Sequence, residues 1–543
     1  METLVIGSGI AGMACAVRLA RHGIHVTIIS PSLSEHSESV MAAGGINALL
    51  PENDEGDSVE SHVQDTLKGG SYIGGEEAVR GLCGHGEEII RFLESIGTVF
   101  SVDSDGRPSR RAFGGQSHKR TYYCGASTGK QIVSALVMET RRFEAAGMIT
   151  RRLKYSFHSG LIKDGICYGA LLFNLERSRL EAFFSDFTVI ATGGQNALFG
   201  KTTGSTLCDG YAAGKLFMQG ADLKNLEFIQ YHPTTLETPQ KKMLISEAVR
   251  GEGGRLFYLE NGERVYFMED KYGEKGNLMT RDVVSREIYD CGKDVFLDIS
   301  FLDEKTIDER LPEVRDLCMK YRGIDIKKEP IPVSPSVHFF MGGLAVHLNH
   351  ETSILNLFAA GECASMYHGA NRLGGNSLLS AMYSGFVAAD EISGRYSHRK
   401  YPEFSTYMEN ERKILKKNYD SRSSFPVFYI RDLLSATMND DLGIVRDEKN
   451  LKKGLKKADY YLSVADKLRY DRSVSQYTNY SLKAMLTLAG ATLKAAEERR
   501  ESRGAHYRSD HTDTKDEYAY ATLVSYNNGD YSVRLDREKI YES

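Results

Sequence analysis

The chain holds no pair of cysteines close enough in sequence to share a metal. Its eight cysteines are scattered over 543 residues without a C-x-x-C spacing, which excludes an encoded zinc site or iron–sulfur cluster. Cysteine use this sparse fits a reducing cytoplasm. No run of about 18 apolar residues is present, and the N-terminus enters a strand-like run without the basic and apolar regions of a secretion signal. Any membrane attachment would therefore run through another subunit, leaving this chain cytoplasmic or peripheral on the cytoplasmic face. Charge excess is missing too: the net charge is −5, and with no aromatic-basic RNA motif nothing points to nucleic acid. Repeats, low-complexity tracts and tryptophan are also absent, the last without functional consequence.

What is present begins at the first residues. A length of 543 residues exceeds one hydrophobic core and predicts several domains, some of them interrupted. The apolar run Leu4 to Ile6 leads into Gly7, Gly9 and Gly12, spaced G-x-G-x-x-G, and then into a helical pattern carrying Met13, Ala14, Val17 and Leu19. Gly23 stands where a helix would be terminated, before a second strand from His25 to Ile29. In that setting the first glycine makes a tight turn, the second admits a pyrophosphate, and the third packs helix on strand. The helix N-terminus adds unpaired N–H groups and the positive end of its dipole. This is a nucleotide-binding unit. The acid that usually takes the ribose hydroxyls is missing, and Ser30 followed by Pro31 stands in its place, so the motif alone does not choose the nucleotide.

Further glycine-rich stretches mark other close approaches of backbone to a ligand: Ser39 to Ala48, the polar run Arg110 to Lys130, and Thr192 to Gly194 after a short β-rich run. Asp209 and Gly210 precede another helical pattern. From about residue 232 to 340 the texture changes to strands and charged loops dense in His, Glu and Arg, which reads as an inserted substrate domain. Strand-then-glycine texture returns at Leu357 to Glu362, where the nucleotide domain resumes. Beyond about residue 400 the chain is helical and charged. The lysine clusters at Glu409 to Lys417 and Leu451 to Lys457 read as solvated helix faces, and an apolar helix is predicted after Ser481.

Chemistry concentrates at Glu227 to Thr235, Ser246 to Gly254, Gly276 to Glu287, Val337 to Gly343 and His368 to Leu379. Arg281 and Arg372 are suited to bidentate grip on carboxylates, which lysine is not. His232 and His338 can fix a carboxylate or polarise a carbonyl while near neutral. Glu247 and Arg250, at i and i+3, share one helix face and can relay a proton.

The motifs GSGIAG, AAGGINA, ATGG, EFIQYHPT, SEAVRGEGG, TRDVVSRE, HFFMGG, FAAGE, HGANRLGGNSLLSA and ESRGAH occur in this order. With them the chain resembles, over nearly its full length, the flavoprotein subunits of succinate dehydrogenase and fumarate reductase. The resemblance implies an α/β fold: a Rossmann-like FAD-binding domain (1–231 and 341–400) interrupted by an α+β capping domain (232–340), then a helical domain (401–500) and a small C-terminal region (501–543) that docks on an iron–sulfur subunit, itself a link to a membrane anchor. It implies FAD held by Gly7, Gly9, Gly12, Ser30, Ala42, Gly44, Gly45, Thr192, Gly193, Asp209, Glu362, Arg372 and a turn at Ser377 and Leu378. It also implies a dicarboxylate held by His232, Ser246, His338 and Arg372, and a proton path from Arg250 and Glu247 to Arg281, the acid toward fumarate. No metal site is implied for this chain.

Two departures from the family pattern carry weight. Most members bond the flavin covalently through a histidine whose place here is Glu38, with His36 out of register. This predicts non-covalent FAD and tilts the chemistry toward fumarate reduction. The related L-aspartate oxidases carry a glutamate where this chain has Phe113, and an apolar ring suits a dicarboxylate without an amine. Segments such as DSVESHVQDTL and GIDIKKEPIPV nonetheless resemble L-aspartate oxidase, which stands as the alternative reading.

Overall fold

In the computed structural model, the described residues are 1–541 apart from 54–55, 104, 126, 396–399, 420–425, 466 and 469–475. A five-stranded parallel sheet carries the nucleotide motif. Its order is Leu357–Ala359, Phe187–Ile190, Glu2–Ile6, His25–Ser30 and Ile149–Leu153. From Thr3 to Ile6 every residue of the central strand is buried, as a parallel strand covered on both faces requires. The helix Ile10–Arg21 packs on one face against the helix Asn376–Ser393. They approach so closely that a Cβ on Gly385 would lie 2.6 Å from the carbonyl oxygen of Ala11. An antiparallel sheet of Tyr155–Lys163, Ile166–Asn174 and Arg179–Phe184 leads into the strand Phe187–Ile190. The strand Leu357–Ala359 forms one edge of the parallel sheet, beside Phe187–Ile190.

A second body is built on a six-stranded sheet in the order Lys242–Leu244, Ile229–Glu237, Ile331–Phe340, Val295–Asp298, Arg255–Glu260 and Glu263–Val265. It has its own apolar core, including Leu236, Val249, Leu256, Met268, Val284, Leu297 and Ile331. Its two longest strands, Ile229–Glu237 and Ile331–Phe340, pair antiparallel and form the stem by which the chain leaves and re-enters the first body. The pairing shifts register between His232 and Thr235; Pro233 lies there and has no N–H to give the ladder. The stem places His232 and His338 beside each other.

The C-terminal helices Val427–Asp441, Glu448–Ala465 and Gln476–Glu498 pack together. The last begins at Gln476, not after Ser481, because Tyr477 and Tyr480 pack edge-on against Tyr211 and extend its buried face. Lys452 and Lys453 are exposed while Leu451, Gly454 and Ala458 turn inward, so this lysine run is a solvated face. The hairpin Thr522–Asn527 and Asp530–Leu535 joins a sheet with Leu223–Lys224, Gly343–Ala345 and Ala364–Ser365. All eight cysteines are free thiols. Among the described residues no helix is long and apolar enough to cross a membrane, and no cluster of three His, Cys, Asp or Glu is placed to hold a metal ion.

Candidate active site

One elongated cavity of about 490 Å³ runs from the first glycine turn to the stem of the second sheet. At its start the turn is as tight as the motif requires. Gly7 has φ +119, and a Cβ there would lie 2.1 Å from the Ala191 carbonyl oxygen. A Cβ on Gly12 would lie 2.1 Å from Gly7 O, so Gly12 serves the packing of helix on strand and does not line the cavity. Gly9 caps the helix N-terminus without a side-chain bond. Ser30 lines the cavity, its hydroxyl bonded to Ser8 at 2.9 Å and to Ser32 O at 2.7 Å.

The middle of the cavity is lined by Ala42, Gly44, Gly45, Thr192, Gly193, Asp209 and Glu362. Ser377 and Leu378 line it too, but they form the first turn of the helix Asn376–Ser393 instead of a free turn; Gly375, at φ +82, makes the bend before it. The Asp209 carboxylate accepts from the Tyr211 N–H at 3.0 Å. Burial raises the Glu362 carboxyl to about 8, with the nearby Glu38 adding to the shift against a bond from Phe340 N–H. Burial likewise raises Glu38, whose Oε2 accepts from Ser205 N–H. Both Glu38 and His36 line the cavity, His36 with its side chain exposed.

At the far end the charged groups converge. Arg281 Nε lies 2.9 Å from Glu247 Oε2, and Arg281 Nη1 donates to Gln230 Oε1 at 3.0 Å. Arg372 Nη2 donates to the same oxygen at 3.0 Å. Gln230 Nε2 in turn bonds Asn371 Oδ1 and Arg372 O. Gln230 is thus the pivot between the buried guanidinium of Arg372 and the partly buried one of Arg281, a role its neutral amide gave no sign of within EFIQYHPT. Burial and the like charge of Arg281 push the Arg372 guanidinium well below its ordinary value, and its Nε has no protein partner among the described residues. Such an orphan donor fits an anionic ligand. Phe339 lies under the Arg372 guanidinium at 4.4 Å.

The His232 and His338 rings meet edge-to-face at 5.2 Å. Burial, then Arg281, holds both well below the ordinary imidazole value, so both are neutral. Glu247 is buried, which raises its carboxyl, but Arg281, Arg250 and a 2.9 Å bond from Gly114 N–H outweigh this and keep it ionised. Arg250 does not line the cavity. It stands behind Glu247, with Nη2 3.9 Å from Oε1 and Nη1 bonded to Asn277 O. Ser246 and Phe113 complete the lining, and a Cβ on Gly44 would touch the Phe113 ring at 3.4 Å. Thr203, unnoticed in the sequence, hydrogen-bonds His338 Nδ1 at 2.9 Å.

The chain matches the FAD binding domain family over residues 2–378 and the fumarate reductase flavoprotein C-terminal family over residues 431–542. It is 35% identical to the succinate dehydrogenase flavoprotein subunit of Bacillus subtilis, over 96% of this chain and 93% of the relative. It is 34% identical to a subunit of the CoM/CoB fumarate reductase of Methanothermobacter marburgensis, over 96% and 97%, and 33% identical to the L-aspartate oxidase of Pseudomonas aeruginosa, over 96% and 98%. Among solved structures, an E. coli quinol fumarate reductase chain superposes with a TM-score of 0.90 at 28% identity, covering 98% of this chain and 96% of that one. A quinol-fumarate reductase with menaquinol gives 0.89 at 30% identity, with 98% coverage of both. The glycine turn, the cavity leading from it and these matches agree: the chain is an FAD-dependent oxidoreductase that belongs to the succinate dehydrogenase/fumarate reductase flavoprotein family.

Proposed function

We propose that this protein interconverts succinate and fumarate and passes the electrons to an iron–sulfur partner subunit, through which it reaches a membrane from the cytoplasmic side. The observation that carries the reading is the pair Arg281 and Arg372 sharing Gln230 Oε1 at the end of a cavity that begins in a nucleotide-binding turn. Two cations and two neutral imidazoles on one wall match a small dianion. The residues fit FAD along the rest: Cβ-free turns at Gly7 and Gly45, a helix N-terminus at the cavity after Gly9 whose Ile10 N–H is met by the Ser39 hydroxyl at 3.2 Å, and a cavity of about 490 Å³. When bound, FAD supplies the hydride that one alkene carbon of fumarate receives.

The chain's own groups do the remainder. Arg372, His232, His338 and Ser246 grip the carboxylates and hold the alkene polarised, so that charge developing at the reacting carbons meets fixed donors. Arg281 gives a proton to the second alkene carbon, and Glu247, with Arg250 behind it, returns one. Arginine is a reluctant acid. The contact at 2.9 Å between Arg281 Nε and Glu247 Oε2 supports the relay because it lets the guanidinium be refilled as it gives its proton up.

The cofactor is held without a covalent bond in this reading. Glu38 fills the covalent residue's place and is engaged by Ser205 N–H. The alternative, oxidation of L-aspartate to iminoaspartate, has a relative of equal coverage behind it. Phe113 speaks against it, since it puts a ring where that chemistry wants a carboxylate for the ammonium. The assay that tests the proposal is oxidation of reduced viologen by fumarate with the purified FAD-loaded protein: turnover is expected, and its absence from protein with full FAD content refutes the proposal.

A further inference from the structure

The turn Thr202–Ser205 touches both halves of the cavity. Ser205 N–H bonds Glu38, the Thr202 hydroxyl bonds Asn196 Oδ1 at 3.0 Å, and Lys242 N–H bonds Thr202 O at 3.2 Å. A Cβ on Gly204 would lie 2.5 Å from Asn196 Oδ1, so the turn is pressed onto that side chain. Within this fixed frame Thr203 gives its N–H to Val337 O at 3.2 Å, and its hydroxyl lies 3.2 Å from the same carbonyl and 2.9 Å from His338 Nδ1. Thr203 is buried. His338 lines the cavity, and among the described residues no protein group bonds its Nε2.

A neutral imidazole carries one proton. Placed on Nδ1, it is donated to the Thr203 oxygen, the hydroxyl turns to Val337 O, and Nε2 presents a bare lone pair to the cavity. Placed on Nε2, it leaves Nδ1 as an acceptor, and the Thr203 hydroxyl donates to it. Val337 O keeps the Thr203 N–H in either case, so the hydroxyl is free to turn. A carboxylate only accepts, and a lone pair facing it repels it. Only the second arrangement binds a dianion.

We propose that Thr203 is a positioning residue: its hydroxyl donates to Nδ1 of His338, holding the ring proton on Nε2 where it is given to a substrate carboxylate. This rests on the dicarboxylate reading above. It makes the affinity of the site depend on the hydroxyl of a cavity-lining threonine that acts through the His338 ring.

The test uses the FAD-loaded enzyme, with Thr203→Val removing the hydroxyl at constant shape and Thr203→Ser restoring it. Succinate affinity is read from the perturbation of the flavin absorbance, and the His338 tautomer from 15N-histidine NMR of the succinate complex, with His338→Gln identifying the signals. Thr203→Val is expected to bind succinate about tenfold more weakly with FAD content unchanged, Thr203→Ser to return toward wild type, and wild-type His338 to carry its proton on Nε2. Wild-type affinity in Thr203→Val, or a proton on Nδ1 in the wild-type complex, overturns the inference. If Thr203→Val does not fold, the wild-type tautomer decides alone. A wild-type holoenzyme that binds no dicarboxylate overturns the substrate reading and this inference with it, whereas unchanged binding by Thr203→Val removes only the role of Thr203.

Discussion

Arg281 and Arg372 both donate to one oxygen, Oε1 of Gln230, each at 3.0 Å. Two guanidiniums held on one neutral acceptor repel each other across it, a repulsion that the proposed dianionic substrate would relieve. Replacing Gln230 by Leu is expected to leave both cations without this acceptor. The cost is about 1–3 kcal/mol of stability for the buried groups left unpaired, and the KM for fumarate rises by about tenfold or more. Thermal denaturation and steady-state kinetics check both.

Arg281 is ion-paired with Glu247, whereas among the described residues no carboxylate bonds Arg372. Arg281→Lys keeps a positive charge but loses the fork that contacts Glu247 and Gln230 together. Fumarate turnover is expected to fall by about 10²–10⁴, with a much smaller change in succinate affinity. Near-normal turnover would assign the proton donor elsewhere.

Non-covalent FAD has a simple readout. Acid precipitation of the holoprotein is expected to leave the yellow colour in the supernatant. Colour retained in the pellet would mean that His36, whose side chain lines the cavity, reaches the flavin after all.

Glu362 gives a pH dependence whose sign is fixed. Its carboxyl is raised to about 8, first by burial, against about 4.3 in an unfolded chain. Between those values the folded state binds the extra proton, so stability falls as pH rises through the window. Glu362→Gln is expected to flatten that decline in the FAD-free protein, measured by urea unfolding from pH 5 to 8. His232 and His338, both held well below the ordinary range, act in the opposite sense: below about 6.5 the unfolded chain protonates them and the folded state does not, so they raise stability as pH climbs to that value, and the difference between wild type and Glu362→Gln isolates the carboxyl.

How much of the molecule is legible in its sequence follows from how local each signal is. The turn Gly7 to Gly12 is read from adjacent residues, because its geometry is set by neighbours in the chain. His232, His338, Arg281 and Arg372 stand out by chemistry, and the stem of the second sheet gathers them. Gln230 and Thr203 do not stand out. An amide and a hydroxyl carry no charge to draw notice, and their importance exists only once the register of Ile229–Glu237 against Ile331–Phe340 and the turn Thr202–Ser205 bring them to the charged groups. The helix start at Gln476 is hidden for a similar reason: Tyr477 and Tyr480 belong to the helix through their contact with Tyr211.

The central claim is the proposal that the site acts on a dicarboxylate without an amine. Under anaerobic conditions, succinate added to the oxidised holoprotein is expected to bleach the flavin absorbance and fumarate to restore it, while L-aspartate leaves the spectrum unchanged. Bleaching by L-aspartate with no response to succinate would contradict the account.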